Sequence, residues 1–332
     1  MKLLTFRKRG ELTARVGAMS GRGEIIDLTS AYASYLHEKG EPNPIGFAQA
    51  SIPMDMVEFI GGGQASLRSA ATAIAYVEEK GAKGTPLGLN AEQLLMTQDQ
   101  IEFLPPVPRP SKMISAGMNY REHLADSGKP GPERPVAFLQ LPSAFVGHLG
   151  NIVWTERTPT LDYEIELAFI IGKRGKHIGR DKAIDYVYGF TIYNDISERA
   201  LQLDEMKYGL LLGGKNMDTF APMGPWIVTK DEIKDPHNLT LILKVNGEVR
   251  QHSNTRNMTF NIFDQIAYWS NLMTLYPGDI FGTGTPSGVA LGRKPNPEPY
   301  YLKHGDTVEA EIEGLGALIN RVVKEPEGGC EG

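Results

Sequence analysis

The sequence predicts a mixed α/β, β-rich protein in two units, and three observations carry that reading. Short apolar runs bounded by Gly, Pro, Asn or Asp recur along most of its 332 residues, the pattern of strands and turns. Two longer segments, 66–80 and 260–272, place apolar residues at helical spacing instead. Between them lies Leu104-Pro105-Pro106-Val107-Pro108-Arg109-Pro110. Its prolines stiffen the chain and forbid a helix or a central strand, so 104–110 reads as a linker between residues 1–103 and 111–325.

In the first unit, Leu3 to Phe6, Ala14 to Met19 and Ile25 to Leu28 read as two or three strands. Ser30 is placed to cap a helix through Ala31-Tyr32-Ala33-Ser34-Tyr35-Leu36, which Gly40 stops. Leu67, Ala71, Ile74 and Val77 predict the helix over 66–80, with Gly81 as its terminator. No chemistry is visible here. The plain reading is a small α/β auxiliary domain that packs on the rest.

The second unit opens with a strand, Lys112-Met113-Ile114-Ser115-Ala116, ending at Gly117. Asn119 then fits the N-cap of a short helix carrying His123 and Asp126, three apart and on one face. A His held by a carboxylate is a general base, and the same pair also fits an ordinary surface helix. Val136–Gln140 follows as a strand. The run Leu167-Ala168-Phe169-Ile170-Ile171 reads as a buried strand, preceded by Leu161-Asp162-Tyr163-Glu164-Ile165-Glu166. Residues two apart on a strand share a face, so Glu164 and Glu166 project side by side at the entrance of an apolar sheet. Two such carboxylates repel, and a hard divalent cation is the simplest remedy. The spacing equally fits one Glu at an exposed edge and the other capping a neighbour.

Tyr188 to Asp195 reads as a strand ending in a carboxylate, followed by a helix or loop on which Arg199 and Gln202 face one way. Gly213-Gly214-Lys215-Asn216 is a turn presenting a Lys. Leu239–Val245 leads into Asn246-Gly247, a strong hairpin signal, and 260–272 reads as a core helix. The loop Gly282-Thr283-Gly284-Thr285-Pro286-Ser287-Gly288 is neither a dinucleotide fingerprint nor a P-loop, because Ser287 stands where Gly is needed and no Lys follows. Its glycines suit close approach of backbone to a ligand. His304-Gly305-Asp306 turns into a strand over 307–312, and 326–332 reads as a flexible tail.

Composition narrows the class. A net charge of −6 argues against nucleic acid as a partner. The N-terminus shows no signal-peptide pattern, and no run is long enough to span a membrane. The single cysteine, Cys330, has no partner for an internal disulfide or a metal site. A cytoplasmic location is expected.

Taken in order, six segments resemble the fumarylacetoacetate hydrolase family over residues 110–323: Gly-x-Asn-Tyr-x-x-His (117–123), Asp-Tyr-Glu-x-Glu-Leu (162–167), Asn-Asp-x-Ser-x-Arg-x-x-Gln (194–202), Gly-Lys (214–215), Val-Asn-Gly-Glu (245–248) and Gly-Thr-Gly-Thr-Pro-x-Gly (282–288). The resemblance implies a catalytic domain built as a mixed β-sandwich roll, in homodimers. It implies Mg²⁺ or Mn²⁺ (Ca²⁺ in crystals) held by Glu164, Glu166 and Asp195. It makes His123 the base, oriented by Asp126, and gives Tyr120, Arg199, Gln202, Lys215 and Thr285 to the substrate, with Lys215 also stabilising an oxyanion. The expected reaction is hydrolysis of a C–C bond in a 2,4-dioxo acid, an acylpyruvate, as in aromatic catabolism. The alternatives are decarboxylation of oxaloacetate-like acids, tautomerisation as in the isomerisation of 2-hydroxydienoates, or a non-catalytic binding role. Two departures stand out. Many short family members carry Arg where this chain has Met118 and Lys where it has Gln140, which suggests a less anionic distal group on the substrate.

Overall fold

A computed structural model describes residues 1–82, 84–127 and 130–325. The side chain of Asp126 and the expected tail at 326–332 lie outside the described residues. The chain begins with β1 (Lys2–Lys8), β2 (Ala14–Met19) and β3 (Ile25–Asp27). Four helices follow: α1 (Leu28–Glu38), α2 (Pro44–Ser51), α3 (Met56–Gly61) and α4 (Gly63–Gly81). β4 (Leu95–Met96) and β5 (Ile101–Phe103) return to the sheet. After the Pro-rich stretch come β6 (Met113–Gly117), α5 (Arg121–Ser127), β7 (Val136–Gln140), β8 (Phe145–Val146), β9 (Asn151–Trp154), β10 (Leu161–Asp162) and β11 (Ile165–Ile171). Then come β12 (Val187–Asn194), β13 (Ser197–Glu198), α6 (Arg199–Met206), α7 (Gly213–Asn216) and β14 (Ala221–Thr229). The chain closes with β15 (Thr240–Val245), β16 (Glu248–Asn254), α8 (Ile262–Leu272), β17 (Ile280–Gly282), β18 (Thr307–Ile312) and β19 (Gly316–Lys324).

Twelve strands share one sheet, in the order β4-β3-β2-β1-β14-β12-β11-β17-β6-β7, with β5 on β1 and β8 on β14. A second sheet of five runs β16-β15-β18-β19-β9. β11 and β12 are buried along their whole length, which is why 167–171 carries no polar alternation. Phe169 and Phe281 stack across β11 and β17 with ring centroids 4.9 Å apart. Asn246 and Gly247 both have positive φ (52° and 81°) and join β15 to β16, the turn their sequence specifies.

The large sheet runs through both halves of the chain. β1 lies antiparallel to β14, with Leu3 opposite Ile227. Pro105, Pro106, Val107 and Pro110 are buried, and Thr5 Oγ1 donates to the Pro106 carbonyl at 2.7 Å. The proline stretch holds no helix or strand, bends over 106–109 and packs against the body of the protein.

Several local expectations change. The cap of α1 is Asp27 rather than Ser30, and its carboxylate accepts from Ser30 N. Asn119 does not cap α5. Its amide instead donates to the Phe260 and Thr283 carbonyls (3.0 and 2.7 Å) and accepts from Phe260 N, because the buried Gly-rich loop needs those partners more than an exposed helix start does. On α4 the buried residues are Ser66, Ala70, Ala73 and Val77, one step round from the expected stripe. Leu67 and Ile74 still pack partly buried against the core, and Leu67 and Ala71 also line a cleft. The turn at 213–216 is one turn of helix.

Candidate metal centre and active site

Glu166 lies on β11, Glu164 just ahead of that strand, and Asp195 just past the end of β12. β11 and β12 are antiparallel with Ile165 opposite Asn194, so the start of one meets the end of the other. Asp195 N donates to the Glu164 carbonyl at 2.9 Å, and Asn194 Oδ1 accepts from Glu164 N at 2.9 Å. This crossing of two strand ends gathers the three carboxylates, each offering an oxygen within 4.8 Å of the others. All three are buried.

Two cations enter the cluster. Lys215 Nζ donates to Glu164 Oε2 and Asp195 Oδ2, both at 2.7 Å. Arg199 spends three of its N–H groups on Asp162, Glu164 and Gln202, at 2.8, 2.6 and 2.8 Å. Arg199 and Gln202, expected to face the substrate, thus sit together but hold Glu164 and each other. The electrostatics separate the acids. Burial pushes the Glu164 carboxyl up, but Lys215, Arg199 and His123 outweigh it and hold it at about 2. Burial pushes Asp195 up to about 6, the Lys215 ammonium opposing and the Glu164 charge adding. Glu166 lies well above the usual carboxylate range, first from burial and then from the charges of Asp195 and Glu164. Lys215 is kept cationic: burial opposes its charge, and Asp195 and Glu164 restore it.

The Gly-rich loop closes the other side. Gly284 N donates to Glu166 Oε2 at 2.9 Å, and φ at Gly284 is +88°, a conformation that suits glycine. A Cβ on Gly282 would come within 2.6 Å of the same Oε2. Thr285 is buried, donates to the Ile165 carbonyl at 2.9 Å and accepts from Gln251. Tyr120 is fully buried near Glu166, and its phenol is pushed up by burial and by the Glu166 and Glu122 charges. His123 is half-buried on α5, near enough for its charge to act on Glu164. Glu122, its neighbour, accepts from Ser253 Oγ and Asn257 and ties α5 to β16.

The contacts of three supporting residues escape a sequence reading. Glu205 accepts from Leu212 N, Gly213 N and Gly214 N (3.0, 2.6 and 3.1 Å) and so fixes the turn that carries Lys215. Gln140 donates to the Lys215 carbonyl at 2.7 Å and accepts from the Tyr193 hydroxyl at 3.2 Å, so its amide is spent on protein groups and does not set the charge of the substrate's distal group, as its departure from Lys had suggested. Asp162 accepts from Ala290 N and Leu291 N as well as from Arg199. Only Asp162 had a local signal, since it precedes the two glutamates.

The donor set fits a divalent ion. Its atoms are hard carboxylate oxygens, and Asp195 Oδ1 is buried with no hydrogen-bond partner among the described residues.

Comparison with known proteins agrees with this geometry. The model of the fumarylacetoacetate hydrolase C-terminal domain matches residues 112–323. The chain belongs to the fumarylacetoacetate hydrolase family. It is 43% identical over 324 residues to the mitochondrial oxaloacetate tautomerase of Rattus norvegicus, covering 97% of this chain and 92% of the relative. Against the corresponding mitochondrial oxaloacetate tautomerase of Homo sapiens, identity is 41% over 323 residues with the same coverage. Among solved structures, maleylpyruvate hydrolase from Sphingobium sp. SYK-6, in complex with manganese(II) ion and pyruvate, superposes with a TM-score of 0.70 at 29% identity. That match covers 98% of this chain and 99% of the other. The likeness to family members thus extends through the N-terminal unit. No helix among the described residues is long and apolar enough to cross a membrane.

Proposed function

We propose that this family member is a divalent-metal-dependent enzyme that interconverts the keto and enol forms of oxaloacetate or a close 2-oxo diacid. The observation that carries the reading is the 41–43% identity to oxaloacetate tautomerases along 97% of the chain, N-terminal unit included. Glu164, Glu166 and Asp195 would hold the ion, Mg²⁺ or Mn²⁺, which when bound supplies Lewis acidity toward a 2-oxo acid. Asp162, Arg199 and Gln202 hold Glu164 in place. Lys215 keeps two of its three protons on Glu164 and Asp195 and offers the third, with its positive charge, to an anionic oxygen. His123 takes the proton from the carbon beside the keto group and returns it in the reverse direction, with Asp126 as its orienting acid. Tyr120, Thr285 and the Gly-rich loop shape the wall of the pocket. Tautomerisation moves one proton and breaks no carbon–carbon bond, so no attacking water is required.

The expected C–C hydrolase stands second. It is favoured by the likeness to maleylpyruvate hydrolase and by the presence of His123 beside the acids, where it could activate water. The two readings separate in one experiment. Enol absorbance of oxaloacetate is followed with Mg²⁺ or Mn²⁺ and the full chain, and acylpyruvates are offered in parallel with product identification. Faster enol–keto relaxation with no acyl product supports the tautomerase. Acyl cleavage without faster relaxation overturns it. A homodimer and a cytoplasmic location complete the proposal. Sedimentation checks the first and cell fractionation the second, where a mitochondrial fraction, as in the names of the relatives above, would overturn it.

A further inference from the structure

A cleft of about 640 Å³ lies at the seam between the N-terminal unit and the central sheet, and none of the metal-centre residues lines it. α4 forms one wall, and β12, β14 and the segment after β11 form the other. The volume is that of an ordinary small-molecule site, and such sites favour seams between units.

Three features of the cleft point to one chemistry. First, the start of α4, a helix of 19 residues, opens into it at Gly63 and Gln64. Its N-cap, Gly62, provides no side-chain acceptor, so the positive end of the helix faces the cleft without a capping side chain. Second, Tyr188 lines the cleft with 7% of its surface exposed, and its hydroxyl is buried with no hydrogen-bond partner among the described residues. A buried phenol without a partner is costly and marks a place where an acceptor belongs. Third, with the Met1 ammonium paired to Glu232 at 3.2 Å, Arg68, Lys173 and Lys230 outnumber Asp185 and Asp231 by one positive charge, while Leu67, Val187 and the Tyr188 ring supply apolar wall.

We propose that this cleft binds a small organic monocarboxylate. The start of α4, Lys173 and the Tyr188 hydroxyl receive the carboxylate, and the apolar body lies against Leu67 and Val187. The surplus of one cation suits a single negative charge. The apolar wall, together with the cleft's size, favours an aromatic or branched body over a bare inorganic anion.

The test is ligand-observed NMR on the full chain with 3-phenylpropionate, repeated with 3-phenylpropionamide, with inorganic phosphate, and with diamagnetic Mg²⁺ and oxalate added to block the metal centre. Binding of the acid should persist with oxalate and be absent for the amide. Tyr188→Phe and Lys173→Ala should each weaken it about tenfold, the scale of one charge-assisted hydrogen bond. Ala71→Trp, which fills the cleft from the solvent-exposed side of α4, should abolish it while leaving the melting temperature near that of the parent. No binding at millimolar acid, loss of binding with oxalate, equal binding of the amide, phosphate binding through the same residues, or indifference to all three substitutions would each overturn the assignment.

Discussion

Two buried acid sites in this molecule are built on opposite principles. Asp27, in the N-terminal unit, is fully buried and faces two cations, Arg15 at 3.1 Å and Lys8 at 3.7 Å, besides accepting from Ser30 N. At the metal centre, four buried carboxylates (Asp162, Glu164, Glu166 and Asp195) share two cations, Arg199 and Lys215. One carboxylate with two cations is satisfied and can serve as a structural pin. Four with two are short by two positive charges, the charge of one divalent ion. Burial of acids is thus not the signature of the site; uncompensated burial is.

The contrast breaks most sharply at Asp195. Asp195→Ala should lower turnover on the order of 10⁴-fold, several kcal/mol of lost stabilisation, because it removes a proposed ligand and one partner of Lys215. Calorimetric titration with Mn²⁺ should show the affinity gone, and retained affinity would place the ion elsewhere. His123→Ala should lower turnover by about 10²–10³ and leave Mn²⁺ affinity unchanged, since His123 is no ligand in this account. If acylpyruvate cleavage falls with it but oxaloacetate turnover does not, His123 serves hydrolysis alone. Asp27→Ala should do the reverse. Stability should fall by ~3 kcal/mol in urea, at the low end for a broken buried pair because Arg15 and Lys8 are partly exposed, with metal affinity intact.

Acidity sharpens the comparison further. In metal-free protein, Asp195 and Glu166 have folded pKa values raised above their unfolded ones. Folding therefore favours their protonated forms. That stability is full below the unfolded carboxylate range and is lost as pH rises, through about 6 for Asp195 and higher for Glu166. Glu164, held at about 2, works oppositely and loses its contribution only as pH falls below the usual range toward 2. Stripped protein should therefore melt at lower temperature at pH 8 than at pH 5.5, and Mn²⁺ should restore more at pH 8. Equal melting of stripped protein at both values would show that the acids are compensated without an ion. The smallest effect is expected at Glu205. Glu205→Gln loosens the turn beneath Lys215 and should slow turnover about tenfold, as loss of a supporting contact does, with little change in melting.

What the sequence reveals follows the range of the interaction. Glu164 and Glu166 announce themselves because strand alternation is local and the apolar run after them is unambiguous. The hairpin at Asn246-Gly247 and the helix over 66–80 are legible for the same reason. Asn119 misleads, since a cap is the local choice and its actual partners lie more than 140 residues away. Arg199 is legible as a site residue but not as the clamp on Asp162 and Glu164, because both acids precede it by more than 30 residues. Glu205 leaves no mark, as its partners are backbone N–H groups that any residue could offer. The proline stretch signals stiffness, but only the pairing of β1 with β14 tells that one sheet spans both halves.

The most direct measurement follows enol–keto relaxation of oxaloacetate with full-length protein stripped of metal at pH 8, before and after adding Mn²⁺. Relaxation at the protein-free rate before addition, and a rise to enzymatic turnover on adding the ion that Asp195→Ala does not show, is the predicted result. Acceleration by the stripped protein equal to that with Mn²⁺ would contradict the claim that the four-acid, two-cation centre works only with a divalent ion in place.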